Sequence, residues 1–148
     1  MTPEESRATA WRLGRQCLAI RMRLLNRVVG GIYDDALRPI GVRIAQFSLL
    51  TAIAGTEPIR PGDLATLLRM DKSTVSRDVD RLKASGWVVT EPAPKGRGQV
   101  LLLTEAGRGI LAACLPAWEA AQAEAARLLG PEGVRSLHDA APEFPPKC

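Results

Sequence analysis

Two apolar stripes with helical spacing stand at opposite ends of the chain, and one copy of 148 residues has little other surface to cover both. Leu18, Met22, Leu25, Val29 and Ile32 recur at alternating four- and three-residue steps, and Cys17, Leu24 and Val28 widen that stripe. Leu111, Leu115, Trp118, Gln122, Ala125 and Leu129 repeat the rhythm near the other end, with one polar member. This spacing predicts a long helix over 7–36 and another opening at Thr104. Gly30-Gly31 predicts a kink in the first and Pro116 a kink in the second. An apolar arc approaching half a helix circumference calls for a partner helix, here expected from a second copy.

The middle of the chain reads as short elements. Residues 37–41 form a connection, and a helix follows over 44–54 with Ile44, Phe47, Leu50 and Ala54 on its buried side. Pro61 opens a short helix over 62–69, since proline suits the first turn, where no helical N–H bond is needed. Asp71 is the expected N-cap of a helix over 72–85, with Val75, Val79 and Leu82 facing inward and Gly86 as its stop. Strands are expected over 87–90 and 99–103, with a loop of prolines and glycines over 91–98 between them. Gly130-Pro131 predicts a short terminal helix to about 140, and Pro142 to Cys148 reads as frayed. The fold class is α-rich (α+β), in a single domain over 1–148.

Several chemistries are poorly supplied. A single histidine, His138, leaves no two-histidine metal site within one chain. Three scattered cysteines, Cys17, Cys114 and Cys148, form no CxxC and no disulfide scaffold, which fits a reducing cytoplasm. No phosphate-binding glycine loop, signal peptide or membrane-length apolar run is visible. No catalytic residue, metal or cofactor is therefore expected. The net charge is +4, and its distribution is uneven. Residues 7–43 hold eight Arg against two Asp, residues 60–100 eight basic against five acidic groups, and residues 104–148 four against six. A basic front and an acidic tail favour a polyanionic partner.

Short helix, turn, helix, strand, loop, strand is the order of a winged helix-turn-helix. The second helix carries Lys72, Ser73, Thr74, Ser76 and Arg77 at the end that enters a major groove. Hydroxyls there can donate or accept, and a guanidinium can grip guanine or a phosphate with two parallel bonds. Lys95 and Arg97 project from the wing loop, where a cation suits a narrow minor groove.

These residues resemble the MarR family of winged-helix regulators. The matching run is Leu64-Ala65, Leu68, Ser73-Thr74-Val75, Arg77, Val79, Arg81-Leu82, Gly86, Val88, Arg97, Leu103-Thr104 and Gly107-Arg108. Tyr33-Asp34, Leu37-Arg38-Pro39, Gly41 and Gln46-Phe47 extend it upstream, so the likeness covers about 15–130. The resemblance implies a homodimeric transcriptional regulator that binds double-stranded DNA. It also implies a winged-helix lobe over 44–104 and a dimerisation lobe from 7–36 plus 105–141, responsive to a small anionic or aromatic effector or to oxidation. The wing departs from the family pattern: Lys95 stands where an acid is usual and Gly96 replaces the first of two arginines. Without the acid-to-arginine bridge a looser wing is expected.

The remaining residues divide between packing and function. Arg81 is expected to pair with Asp78. Arg21 falls within the apolar arc of the first helix and needs a partner, either an acid of the last helix or an anionic effector in a pocket shared with Tyr33 and Trp11. The peroxide sensors of the family carry a reactive cysteine in the first helix, but Cys17 lies out of register with that pattern relative to Tyr33 and reads as packing. The alternative readings are a thiol-based redox regulator and a winged-helix protein-interaction module without DNA binding.

Overall fold

The computed structural model describes residues 1–144, in the order α1 (Pro3–Gln16), α2 (Leu18–Leu37), a 3₁₀ turn (Arg38–Ile40), α3 (Ile44–Thr56), α4 (Pro61–Leu68), α5 (Lys72–Ala84), β1 (Val88–Pro92), β2 (Gln99–Leu103) and α6 (Glu105–Ala140). Cys148 and part of the expected frayed tail lie outside the described residues.

The first long helix is two helices. The break falls at Cys17, which is extended at φ −71°, ψ 110°, while Gly30-Gly31 continues through α2. A capping box starts α1: Thr2 Oγ1 accepts from Glu5 N at 3.2 Å, and Thr2 N donates to Glu5 Oε2 at 2.7 Å. Cys17 occupies the N-cap position of α2 but makes no side-chain cap bond. A serine hydroxyl can accept there, so Cys17→Ser should raise stability by up to ~1 kcal/mol in thermal or urea unfolding. A clear loss instead would assign Cys17 a packing role that outweighs the missing cap.

α3 is apolar nearly all round and forms the centre of the winged lobe. Leu49, Leu50, Ala52 and Ile53 are its buried residues, while Ile44, Phe47 and Ala54 of the expected face are half-buried. Leu64 and Ala65 of α4, Val75, Val79 and Leu82 of α5, and Val88, Leu101 and Leu103 of the hairpin close around it. The α5 stripe is the one its spacing predicts. Leu37, Val42 and Cys114 form a second cluster, and Trp87 and Ile110 pack against both. Burial raises the Cys114 thiol pKa, which keeps it protonated.

β1 and β2 pair antiparallel from Val88↔Leu103 to Pro92↔Gln99, so the hairpin runs two residues further than the expected first strand. Ile59 adds a short bridge to Leu101 on the other edge of β2.

The Leu103-Thr104-x-x-Gly107-Arg108 run has a physical account. Thr104 Oγ1 caps α6 by accepting from Gly107 N at 2.9 Å and donates to Gly86 O at 2.6 Å. Thr104 N donates to Trp87 O at 3.0 Å. Glu57 takes Leu103 N at 2.7 Å and Arg108 Nη1 at 2.6 Å, tying the end of α3 to β2 and α6. The only non-helical dihedrals inside α6 are at Gly130 (φ 71°, ψ 165°), where the terminal helix was expected to begin, and the helix passes through Pro116.

α2 packs on α6 within the chain. Along α2, burial increases from Leu18, which is 79% exposed, through Met22 at 54%, to half-buried Leu25, Val29 and Ile32 and buried Leu37. α1 buries no residue. Among the described residues no helix is long and apolar enough to cross a membrane.

Candidate nucleic-acid interface

α4 and α5 are joined by a three-residue turn in which Arg69 adopts the left-handed conformation (φ 52°, ψ 41°). That region is unusual for a residue with a side chain. The turn aims the N-terminus of α5 outward. Lys72, Ser73, Ser76 and Arg77 are exposed there, and Thr74 is half-buried. Arg77 reaches only one long contact, Nη2 to Thr74 Oγ1 at 3.5 Å, so its planar fork is open to solvent. Asp71 holds the N-cap position, but its side chain makes no cap bond.

One turn on, Arg81 Nη1 lies 3.2 Å from Asp78 Oδ1, the pair expected from the sequence. A surface pair of this kind, with Arg81 exposed and Asp78 half-buried, is worth up to ~1 kcal/mol. The groove beside it also includes Arg43 and Gln46 from the start of α3. No local pattern marks Arg43, because only the packing of α3 against α5 brings it beside Arg81.

At the wing, Lys95 and Arg97 are exposed, as expected. The loop is nonetheless tied. Ala93 N donates to Gly98 O at 2.9 Å, and Arg60 donates Nη1 to Arg97 O at 2.6 Å and Nη2 to Lys95 O at 2.8 Å. The missing acid-to-arginine bridge therefore has a replacement from outside the wing. No local pattern points to Arg60, which is 35 residues from Lys95 and 37 from Arg97.

The three effector candidates do not all meet. Trp11 and Arg21 line one cavity of about 510 Å³ between α1 and α2, and Tyr33 lines another of about 510 Å³ between α2, α3 and α6. Arg21 is exposed, not buried, and its guanidinium reaches back to the Arg15 carbonyl at 3.3–3.4 Å. The break at Cys17 is the reason, since it folds the end of α1 beside Arg21. Trp11 is 65% exposed under the Arg15 guanidinium, 5.7 Å from the ring centroid. Tyr33 donates its hydroxyl to Gln122 Oε1, and burial raises its pKa. Its cavity is also lined by Phe47, Thr51 and Trp118, and Thr51 Oγ1 is buried without a hydrogen-bond partner. Among the described residues no cluster of three His, Cys, Asp or Glu side chains could hold a metal ion.

Residues 40–97 match the MarR family. The multiple antibiotic resistance protein MarR of Escherichia coli is 31% identical over 94 residues, which cover 63% of this chain and 65% of that protein. The uncharacterized HTH-type transcriptional regulator YwoH of Bacillus subtilis is 25% identical over 79 residues, 53% of this chain and 58% of its own. These alignments thus span less than two thirds of the relatives' lengths. Solved structures align more fully. A mutant E. coli MarR complexed with operator DNA superposes with a TM-score of 0.78 at 25% identity, covering 86% of this chain and 93% of that one. The M. tuberculosis regulator MosR in complex with DNA gives 0.70 at 27%, covering 84% and 94%.

Proposed function

We propose that this chain, whose residues 40–97 match the MarR family, is a transcriptional regulator that binds double-stranded DNA as a homodimer. The observation that carries the reading is α5. It buries Val75, Val79 and Leu82 and turns Lys72, Ser73, Ser76 and Arg77 to solvent at its N-terminal end, with Lys95 and Arg97 exposed on the wing. Two structural relatives with this architecture were solved on DNA. Phosphate contacts by Lys and Arg supply the bulk of affinity, and the start of α5 supplies sequence preference. No catalytic role is assigned; the relatives are regulators. A chain that acts on an operator works in the cytoplasm.

Residues 44–104 are taken as the DNA-binding lobe and 7–36 with 105–141 as the dimerisation lobe. The apolar side chains exposed on the latter favour this: Leu18, Met22, Leu24, Val28, Leu115 and Leu128 all face solvent in one copy. Burying such a side chain is worth roughly 1.5–3 kcal/mol each, so a second copy has ample driving force to cover them. The cavity with Tyr33 lies where α2 and α6 meet α3, between the two lobes. A small aromatic effector there, with its polar group on Thr51, would bias the spacing of the lobes and so DNA affinity.

Selection from random duplexes tests the reading. The enriched sites should be pseudo-palindromic with half-sites about one helical turn apart, because a two-fold dimer presents two α5 helices. Sedimentation at micromolar concentration should give a dimer. A stable monomer, or no enrichment of any sequence, would contradict the proposal.

A further inference from the structure

Arg60 and the wing were drawn together by no motif, yet their fit is close. Ile59 exchanges both backbone bonds with Leu101, Ile59 N to Leu101 O at 3.3 Å and Leu101 N to Ile59 O at 2.8 Å. The chain there runs antiparallel beside β2, so the next residue, Arg60, advances toward the wing tip. Its two terminal nitrogens donate to the carbonyls of Arg97 and Lys95. A planar fork spans two such acceptors in a way that a single ammonium does not. The glycines complete the fit. A Cβ on Gly98 would lie 3.1 Å from Arg60 Nη1, and one on Gly96 would lie 3.5 Å from Nη2. Both glycines also hold positive φ, 100° at Gly98 and 77° at Gly96. The loop therefore wraps the guanidinium, while Lys95 and Arg97 are exposed.

We infer that Arg60 is a positioning residue that presets the wing, so that Arg97 meets DNA from an ordered loop. The inference rests on the DNA-binding reading of the wing. It also has a charge consequence. A brace built on a wing carboxylate sets a negative charge near the phosphates, whereas this brace uses neutral carbonyls and adds a cation at the wing root. Lys95, Arg97 and Arg60 are the charged groups of the loop and its brace, and no acid lies between Ala93 and Gly98. Ordering the loop before DNA arrives removes that entropy cost from the binding step.

Two measurements on the full chain test this. The first needs no DNA. Trypsin can cut after Lys95 and Arg97 only when the loop is loose, and Arg60 precedes Pro61, so replacing it removes no good cleavage site. Cleavage at these two bonds should quicken about tenfold or more in Arg60→Ala, because local opening controls the rate. Arg60→Lys keeps the charge but not the fork and should be cleaved nearly as fast. Both variants should keep the wild-type thermal midpoint, as Arg60 makes no side-chain cap on α4.

The second is a double-mutant cycle on a duplex selected by the wild-type chain. Arg97→Ala should weaken binding about fivefold in the wild type and less than about twofold in the Arg60→Ala background. Unchanged trypsin cleavage in Arg60→Ala overturns the brace, and full protection in Arg60→Lys overturns the role of the fork. Faster cleavage with an undiminished Arg97 effect overturns the link to DNA. A wild-type chain that selects no duplex overturns the functional reading instead, and the proteolysis still decides the brace.

Discussion

Gly107→Ala should lower the thermal midpoint by roughly 10 °C. A Cβ at Gly107 would stand 2.1 Å from the Trp87 carbonyl oxygen and 3.0 Å from its carbon. Both atoms are backbone, so no side chain can swing aside. The start of α6 cannot rotate away cheaply either. Thr104 N holds that same Trp87 oxygen, Thr104 Oγ1 bonds both Gly107 N and Gly86 O, and Arg108 is paired with Glu57. Relief requires α6 to lift from the base of the hairpin, which strains or breaks these bonds together. Overpacking of this kind costs about 3 kcal/mol. Gly109 is the internal control. It lies in the same helix with nothing within 4 Å of its would-be Cβ, so Gly109→Ala should gain up to ~1 kcal/mol from helix propensity alone. Thermal unfolding of the two variants followed by circular dichroism checks the contrast. Equal midpoints would mean that the close approach of α6 to Trp87 does not limit stability.

Arg77→Ala should weaken binding to a selected operator by about 1–3 kcal/mol, or roughly five- to 150-fold, and should narrow the gap between that operator and random DNA. The residue sits about one turn into α5 beside Ser73, Thr74 and Ser76, exposed and held by nothing stronger than the 3.5 Å contact to Thr74. Its guanidinium is free to form two parallel bonds to a base edge or to a flanking phosphate. Arg81 is the useful comparison. It is also exposed and one turn further from the helix start, but it is paired with Asp78, so Arg81→Ala should cost less. Neither side chain belongs to the buried stripe, and both variants should unfold as the wild type does. Titrations by fluorescence anisotropy on operator and scrambled duplexes separate the outcomes. Operator affinity unchanged in a folded Arg77→Ala would remove α5 from the interface as drawn.

What was legible in the sequence follows the range of the forces concerned. The α5 stripe of Val75, Val79 and Leu82 was readable because a helix buries one face by period alone. The hairpin and the α6 start were readable from turn residues and the Thr104 cap. The break between α1 and α2 was not. Two adjacent glycines weaken a helix by ~1 kcal/mol each, but α2 packs along α6 and is held helical, while α1 buries nothing and is free to diverge at Cys17. That break in turn exposed Arg21 and separated it from Tyr33. Pro116 forfeits one backbone bond, yet it and Ala112 lie on the exposed side of α6, where water can serve the freed carbonyl. The expected face of α3 is only part of what is buried, with Leu49, Ala52 and Ile53 lying outside it, because a helix enclosed on several sides carries no clear period. Arg60 was invisible for a different reason: its partners are backbone carbonyls, which leave no mark on residue type.

The most direct test of the central claim, that α5 reads DNA sequence, is a titration of the wild-type dimer on its selected duplex and a scrambled one of equal length across several salt concentrations. Affinity for both should fall as salt rises, since phosphate contacts release counterions. The selected duplex should hold an advantage of about 10³ or more, a margin supplied by base contacts. Equal affinity for the two duplexes at every salt concentration, with the protein folded and dimeric, would contradict the claim.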